Sequence, residues 1–226
     1  MLGAPASRLG GNGSDYALTA LLILEALILF LAAPLAAMGI RLPLDLGVLV
    51  VVPLMLTIVV ISSSVGARVL AIAAALLGLA GVAFRINHPS LASVWLGHAA
   101  VITAVIALSI VIGKAVFAPG RITHHRIEGA VILYLNIALL FTSVFRLISE
   151  LDPTAFADFA ARQPEAAAVG TMLYFSFTTL TATGFGEILP VSPLARSMAN
   201  LESVLGQLYL AIMLARLVAL HVDFRR

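Results

Sequence analysis

Long apolar runs separated by short polar breaks dominate this chain. A helix crossing a bilayer core needs about 20 apolar residues, and six stretches meet that length: 16–39, 44–62, 67–86, 91–117, 128–149 and 193–220. The breaks between them include "RLPLD" at 41–45, "SSSVGAR" at 62–68 and "RINHPS" at 85–90. A seventh apolar piece, 166–181, is too short to cross. It runs into the polar, glycine-punctuated stretch "TLTATGFGEILP" at 179–190. Non-helical backbone is tolerated at membrane depth only when buried in protein or lining a polar cavity. A half-span followed by such backbone therefore predicts a re-entrant loop.

Composition agrees with spans rather than a soluble core. The 226 residues are 62% hydrophobic and 11% charged, against about a quarter charged in soluble domains. Cysteine is absent, which excludes disulfides, zinc–thiolate sites and thiol nucleophiles. The formal charge of +2 is too small to argue for nucleic acid. The Gly/Ser-rich lead before Tyr16 lacks a basic n-region, so the first run reads as a retained span. With six spans the termini share one side. Arg8, Arg68, Lys114, Arg121, Arg126, Arg216, Arg225 and Arg226 fall on that side, against Arg41, Arg85, Arg146, Arg162 and Arg196 on the other. This excess predicts cytoplasmic termini and an outer re-entrant loop. Glu150, Asp152, Asp158 and Glu165 lie on the outer side. No soluble domain is expected at either end.

Within 179–190, Gly184 and Gly186 permit backbone angles that bring carbonyl oxygens where a side chain would block them. Several copies around an axis would form carbonyl rings able to replace a cation's water shell. The negative end of the preceding half-helix favours a cation, and Glu187 with the acidic outer loop would concentrate cations. The segment "TATGFGE", following "LYFSFTTL" and preceding a span that opens at Pro193, resembles the pore signature of tetrameric potassium channels, whose usual filter reads T-V-G-Y-G-D. The resemblance covers about 128–220; the earlier spans resemble six-span channels only in number and order. It implies a filter of Ala182, Thr183, Gly184, Phe185 and Gly186, with potassium at the carbonyls of residues 182 to 185. It further implies support from Glu187, Tyr174, Phe175 and Thr178, an inner-helix bending glycine at Gly206, and a cavity lined by Leu210, Leu214 and Val218. Glu187, longer than the usual aspartate, is placed to reach the Tyr174 hydroxyl. Ala182 departs from the pattern by keeping a carbonyl but losing the threonine hydroxyl at the innermost ion site, which predicts a weakened inner site.

In six-span channels that sense voltage, the fourth span carries arginines at every third position. Span 91–117 has none, holding only His98 and Lys114, so weak or absent voltage dependence is expected. Glu25 and His98 sit about 14 Å and about 10 Å deep from opposite sides, which would allow a proton-sensitive pair; the favoured expectation is that each hydrogen-bonds a neighbouring helix without a regulatory role. Asn136 and Glu202 suit a hydrogen bond behind the filter better than a cation site. His124 and His125 are weak metal candidates. With Arg121 and Arg126 they read as a basic interfacial linker touching anionic lipid heads, and Arg216 is expected to snorkel to the interface.

The expectation is thus an all-α membrane protein with six transmembrane helices, a re-entrant pore helix and filter loop, and four subunits around one pore. Residues 1–117 would form a four-helix peripheral bundle, 118–127 the linker and 128–226 the pore domain. Neither a cofactor nor nucleic acid is expected; the partners would be permeant monovalent cations, lipids and identical subunits in a cell inner (plasma) membrane. A poorly selective cation channel and a non-conducting assembly partner stand as alternatives. An enzyme is disfavoured by the absence of HExxH, GxSxG and Walker patterns, and a transporter by the single interrupted segment.

Overall fold

A computed structural model describes residues 12–40, Val52, 65–87, 91–117, 123–159 and 165–223. The span expected at 44–62 lies outside the described residues apart from Val52. Helix α1 (Asn12–Leu27) passes through a π-helical turn (Ile28–Ala32) into α2 (Ala33–Ala37). The π turn has a covalent cause. Pro34 has no N–H to return to the preceding turn and its ring crowds that carbonyl. Widening the helix by one residue, with Ala33 N–H donating to the Ile28 carbonyl, passes the proline without a break. Met38 and Gly39, the latter at φ +83°, then end the helix.

Helices α3 (Val65–Asn87) and α4 (Leu91–Val116) pack along one another. The longest apolar helix with a buried stripe is α5 (His124–Leu151), followed by a short turn and the two-residue strand β1 (Phe156–Ala157). Helix α6 (Glu165–Leu180), the irregular segment 181–188, strand β2 (Leu189–Pro190) and helix α7 (Pro193–Asp223) complete the chain. The strands pair antiparallel, Phe156 with Pro190 and Ala157 with Leu189. Among the described residues, Leu18–Ala36, Trp95–Lys114, His124–Leu151 and Pro193–Arg216 are long and apolar enough to cross a membrane. The apolar parts of α3 and α6, Arg68–Gly81 and Ala167–Leu180, are shorter.

The periodic patterns place the packing. Helix α5 buries Ile132, Leu135, Ala138 and Leu139, and it contacts α1, α4, α6 and α7. Helices α1 and α2 lean on α5 and α6, with Phe30 meeting Phe177 at 5.3 Å between ring centroids. The α3–α4 pair instead reaches the rest through α4 on α5. The described peripheral helices therefore flank α5 and α6 on two sides. Helix α5 also begins at His124, four residues before its apolar run. His124 is exposed and Arg126 half-buried in that first turn, so most of the described end of the expected linker is helical.

Candidate functional site

The site begins with the way α6 ends. The Thr183 N–H donates to the Thr178 carbonyl at 2.8 Å, and Ala182 N–H to the Thr179 carbonyl at 3.0 Å. These nested bonds, closed around a left-handed residue, form a Schellman cap. The left-handed residue is Ala182, at φ +55°, where glycine is usual. Gly184 N–H adds a second donor to Thr178 at 3.2 Å. Thr178 therefore acts through its carbonyl, while its hydroxyl turns back to Phe175 O at 2.9 Å.

Beyond the cap, positive φ recurs at every second residue: Ala182 at +55°, Gly184 at +57° and Gly186 at +94°. Thr183 and Phe185 between them do not share it. Such alternation of hand turns successive peptide carbonyls toward one side of the chain, and glycine makes it cheap at two of the three positions. Residues 181–187 are all exposed in the single chain. The expected filter residues Ala182, Thr183, Gly184, Phe185 and Gly186 thus form one accessible irregular strand leaving the carbonyl end of α6. Its helix dipole adds partial negative charge there.

Side chains behind this strand hold it to the protein. Phe185 stacks on Tyr174 at 6.3 Å with 6° between planes, and the Tyr174 hydroxyl donates to Glu187 Oε2 at 3.2 Å. Phe175 points the other way, into an aromatic cluster with Phe145 at 4.9 Å and Phe156 at 5.5 Å. The β1–β2 pairing carries Phe156 into that cluster, so the outer turn and the strand's exit share one anchor. At the inner end, the Thr181 hydroxyl donates to Phe177 O at 2.7 Å and lies 2.7 Å from the Thr183 hydroxyl. With Thr181's proton committed, Thr183 is the donor of that second bond. Two hydroxyls therefore flank Ala182, which has none.

Glu202 is wholly buried on α7, 2.5 Å from the Ser176 hydroxyl, which also lies 2.9 Å from the Ala138 carbonyl. One hydroxyl hydrogen serves one acceptor. Both contacts are made when Ser176 donates to Ala138 and the Glu202 carboxyl donates to Ser176. This places Glu202 in a structural bond joining α5, α6 and α7. Asn136 is buried, and its amide has no hydrogen-bond partner among the described residues.

Gly206 lies inside the continuous helix α7. A Cβ there would collide with the Leu180 carbonyl oxygen and come within 2.9 Å of Leu180 Cδ1. Close approach of α7 to the end of α6 is thus a sufficient reason for glycine, beside the bending suggested by resemblance. Leu210 and Leu214 are exposed on α7, while Val218 lies on the same helix where side chains are outside the described residues.

Glu25 and His98 do not pair, and His98 instead bonds a neighbouring helix, as the favoured reading had it. His98 Nε2 lies 3.4 Å from Glu150 Oε1, which also accepts from Arg146 Nη2 at 2.8 Å. Helix α4 is thereby tied to the C-terminal end of α5. Glu25 is buried with both oxygens lacking a hydrogen-bond partner. His125 Nδ1 lies 3.2 Å from Glu128, which also accepts from Thr19 at 3.0 Å, and no cluster of three or more His, Asp or Glu suited to a metal occurs among the described residues. The Arg146–Glu150 pair was visible in sequence as an i, i+4 couple within an apolar helix. Its histidine partner, 52 residues earlier, was not.

Comparison with known proteins gives one family: residues 131–222 match the family model described as "Ion channel". The match takes in most of α5, the whole of α6 and the irregular strand, and nearly all of α7. This region is similar to the two-span, potassium-channel-like pore domains. The described residues are mostly helical, four of their helices are long and apolar enough to cross a membrane, and the matched region supports a passive ion channel. No curated protein and no solved structure matches the chain.

Proposed function

We propose that four copies of this chain surround one axis and conduct potassium passively, with the backbone carbonyls of residues 182 to 185 replacing the ion's water. The observation that supports this most directly is the alternating hand at Ala182, Gly184 and Gly186 on an exposed strand at the end of α6. A lone chain supplies one wall of a site whose geometry requires several. The exposed apolar side chains Leu201, Val204, Leu205 and Leu208 on α7 offer a surface for the neighbouring copies. Glu187 at the outer end would draw cations to the mouth, and Leu210, Leu214 and Val218 would border the inner cavity. The channel would sit in a cell inner membrane with both termini cytoplasmic.

A second reading, a poorly selective monovalent cation pore, is favoured by one feature. Ala182 offers no hydroxyl, and the flanking Thr181 and Thr183 hydroxyls are bonded to one another. Ion flux from liposomes holding the purified protein separates the readings. Potassium-driven flux that excludes sodium and stops with barium is the expected result. Equal flux of both ions would favour the second reading. Flux of neither, with the protein intact, would overturn both and leave a non-conducting assembly partner.

A further inference from the structure

Packing of the first span buries an acidic side chain without bonding it. Glu25 is 4% exposed, and neither of its carboxyl oxygens has a hydrogen-bond partner. It therefore departs from the expectation that it serves a neighbouring helix. Leu21 stands one turn before it and Leu29 one turn after, so the three share a face of the first span. That face is covered. Leu18, Leu21 and Leu29 belong to one apolar cluster with Ile132, Leu135 and Leu139 of α5 and Leu173 of α6. The carboxyl thus sits in an apolar seam between the first span and helices α5 and α6.

Among the described residues, no positive charge is bonded to it there. The ionisable side chains of α5 are engaged elsewhere. Glu128 accepts from Thr19 and lies 3.2 Å from His125, Arg146 donates to Glu150, and the Tyr134 hydroxyl donates to the Leu180 carbonyl. His124 is exposed, and Arg126 lines a crevice between α5 and α7. On α6, Tyr174 donates to Glu187. Asn136 of α5, also buried without a partner, carries no charge that could offset one on Glu25.

An ionised carboxylate without a partner in apolar surroundings is far costlier than the uncharged acid. We propose that Glu25 is a proton-binding site of the first span, holding its proton in neutral solution, and that this proton keeps α1 seated on α5 and α6. Loss of the proton would leave a bare charge in the seam, draw water to it and part the helices. The seat bears on the irregular strand through one contact. Phe30 rests on Phe177 at 5.3 Å between ring centroids, and the Phe177 carbonyl accepts the N–H and the hydroxyl of Thr181 at 3.0 and 2.7 Å. An effect of alkaline medium on conduction rests on the proposed pore; binding of the proton does not.

The test uses the full-length protein in lipid vesicles and infrared spectroscopy in neutral buffer, where a carboxylic acid and a carboxylate have distinct stretching bands. Glu25→Gln, neutral and of similar shape, should remove one carboxylic-acid C=O band and no carboxylate band. Glu202, whose carboxyl donates to Ser176, accounts for a second acid band, which Glu202→Gln removes instead. Raising the pH should convert the Glu25 band to carboxylate. Thermal melts in detergent read the second half of the proposal. Melting releases Glu25 to water, where a glutamate gives up its proton below neutral pH. The folded state then binds one proton more than the melted state, so its stability falls as pH rises. The gap in midpoint between wild type and Glu25→Gln should be constant in acid, widen with pH, and level off once the acid band is gone. While it widens, the ratio of the two unfolding constants should grow about tenfold per pH unit.

A Glu25→Gln spectrum that loses only carboxylate signal would overturn the proposal. So would midpoints that run parallel at every pH, since the proton would then hold nothing together. If Glu25→Gln does not fold, Glu25→Leu supplies the same subtraction. If neither folds, Glu202→Gln decides alone: an acid band remaining in neutral buffer supports the site, and none remaining overturns it. Neither arm reads ion flux, so a protein that binds the proton without conducting counts against the pore alone.

Discussion

Ala182 occupies a left-handed conformation that costs an ordinary L-residue about 1–2 kcal/mol. Glycine would adopt φ +55° freely, whereas a β-branched residue there is a genuine outlier. Ala182→Gly should therefore raise the temperature at which the purified protein loses its native elution in detergent, and Ala182→Val should lower it. Equal midpoints would mean the cap does not hold the strand. For the same reason Ala182→Thr is a poor restoration of the usual filter, since its backbone must first leave this conformation. In the turn after α5, the Thr154 hydroxyl and then its amide donate to Asp152 Oδ1, holding that carboxyl below the usual range. A depressed folded value means the turn's contribution is present above the ordinary carboxylate range and lost as pH falls through the folded value. Thr154→Val should move the Asp152 titration upward, followed by its carboxyl carbon signal; an unmoved titration would remove the hydroxyl as cause.

Among elements, the decisive contact is α7 against the end of α6. Gly206→Ala sets a methyl against the Leu180 carbonyl, a backbone atom that cannot rotate away. Overpacking of this kind costs about 1–3 kcal/mol, so folded yield and thermal midpoint should both fall. Gly129→Ala is the control: its nearest obstacle is Val116 Cγ2 at 2.8 Å, a side-chain atom able to move. A Gly206→Ala protein as stable as Gly129→Ala but altered in opening would favour the bending role instead. Ser176→Ala would strip the Ala138 carbonyl and Glu202 of their shared partner, with an expected loss of about 1–3 kcal/mol. Glu202→Gln, which keeps a neutral donor of similar shape, should lose less in the same melt.

For the whole molecule, α4 offers His98 and Lys114 where a sensor would carry repeated arginines. Moving one charge across the membrane is worth about 2.3 kcal/mol per 100 mV. Conductance in planar bilayers should therefore change only shallowly with voltage, and a steep dependence would require moving charge elsewhere. His98 is occupied with Glu150 beside Arg146. That arrangement makes the α4–α5 joint a structural clamp.

Local chemistry made much of this legible. Apolar run length led to an expectation of six spans; among the described residues four helices are long and apolar enough to cross, the apolar part of α3 is shorter, and 44–62 lies outside them apart from Val52. The irregular backbone after α6 was readable because Gly184 and Gly186 announce unusual backbone in a place where unusual backbone is costly. The π turn before Pro34 was readable in principle from the missing N–H. Other features depend on residues far apart in sequence. Ser176 meets Ala138 and Glu202, His98 meets Glu150, and Gly206 admits Leu180 only once three helices have packed. The sequence by itself determined the apolar helices and the position of the glycine-punctuated segment after α6, since both rest on properties of contiguous residues. Tertiary structure alone decided which buried polar groups became partners and which, like Glu25, were left without one, because those outcomes depend on which helix faces meet.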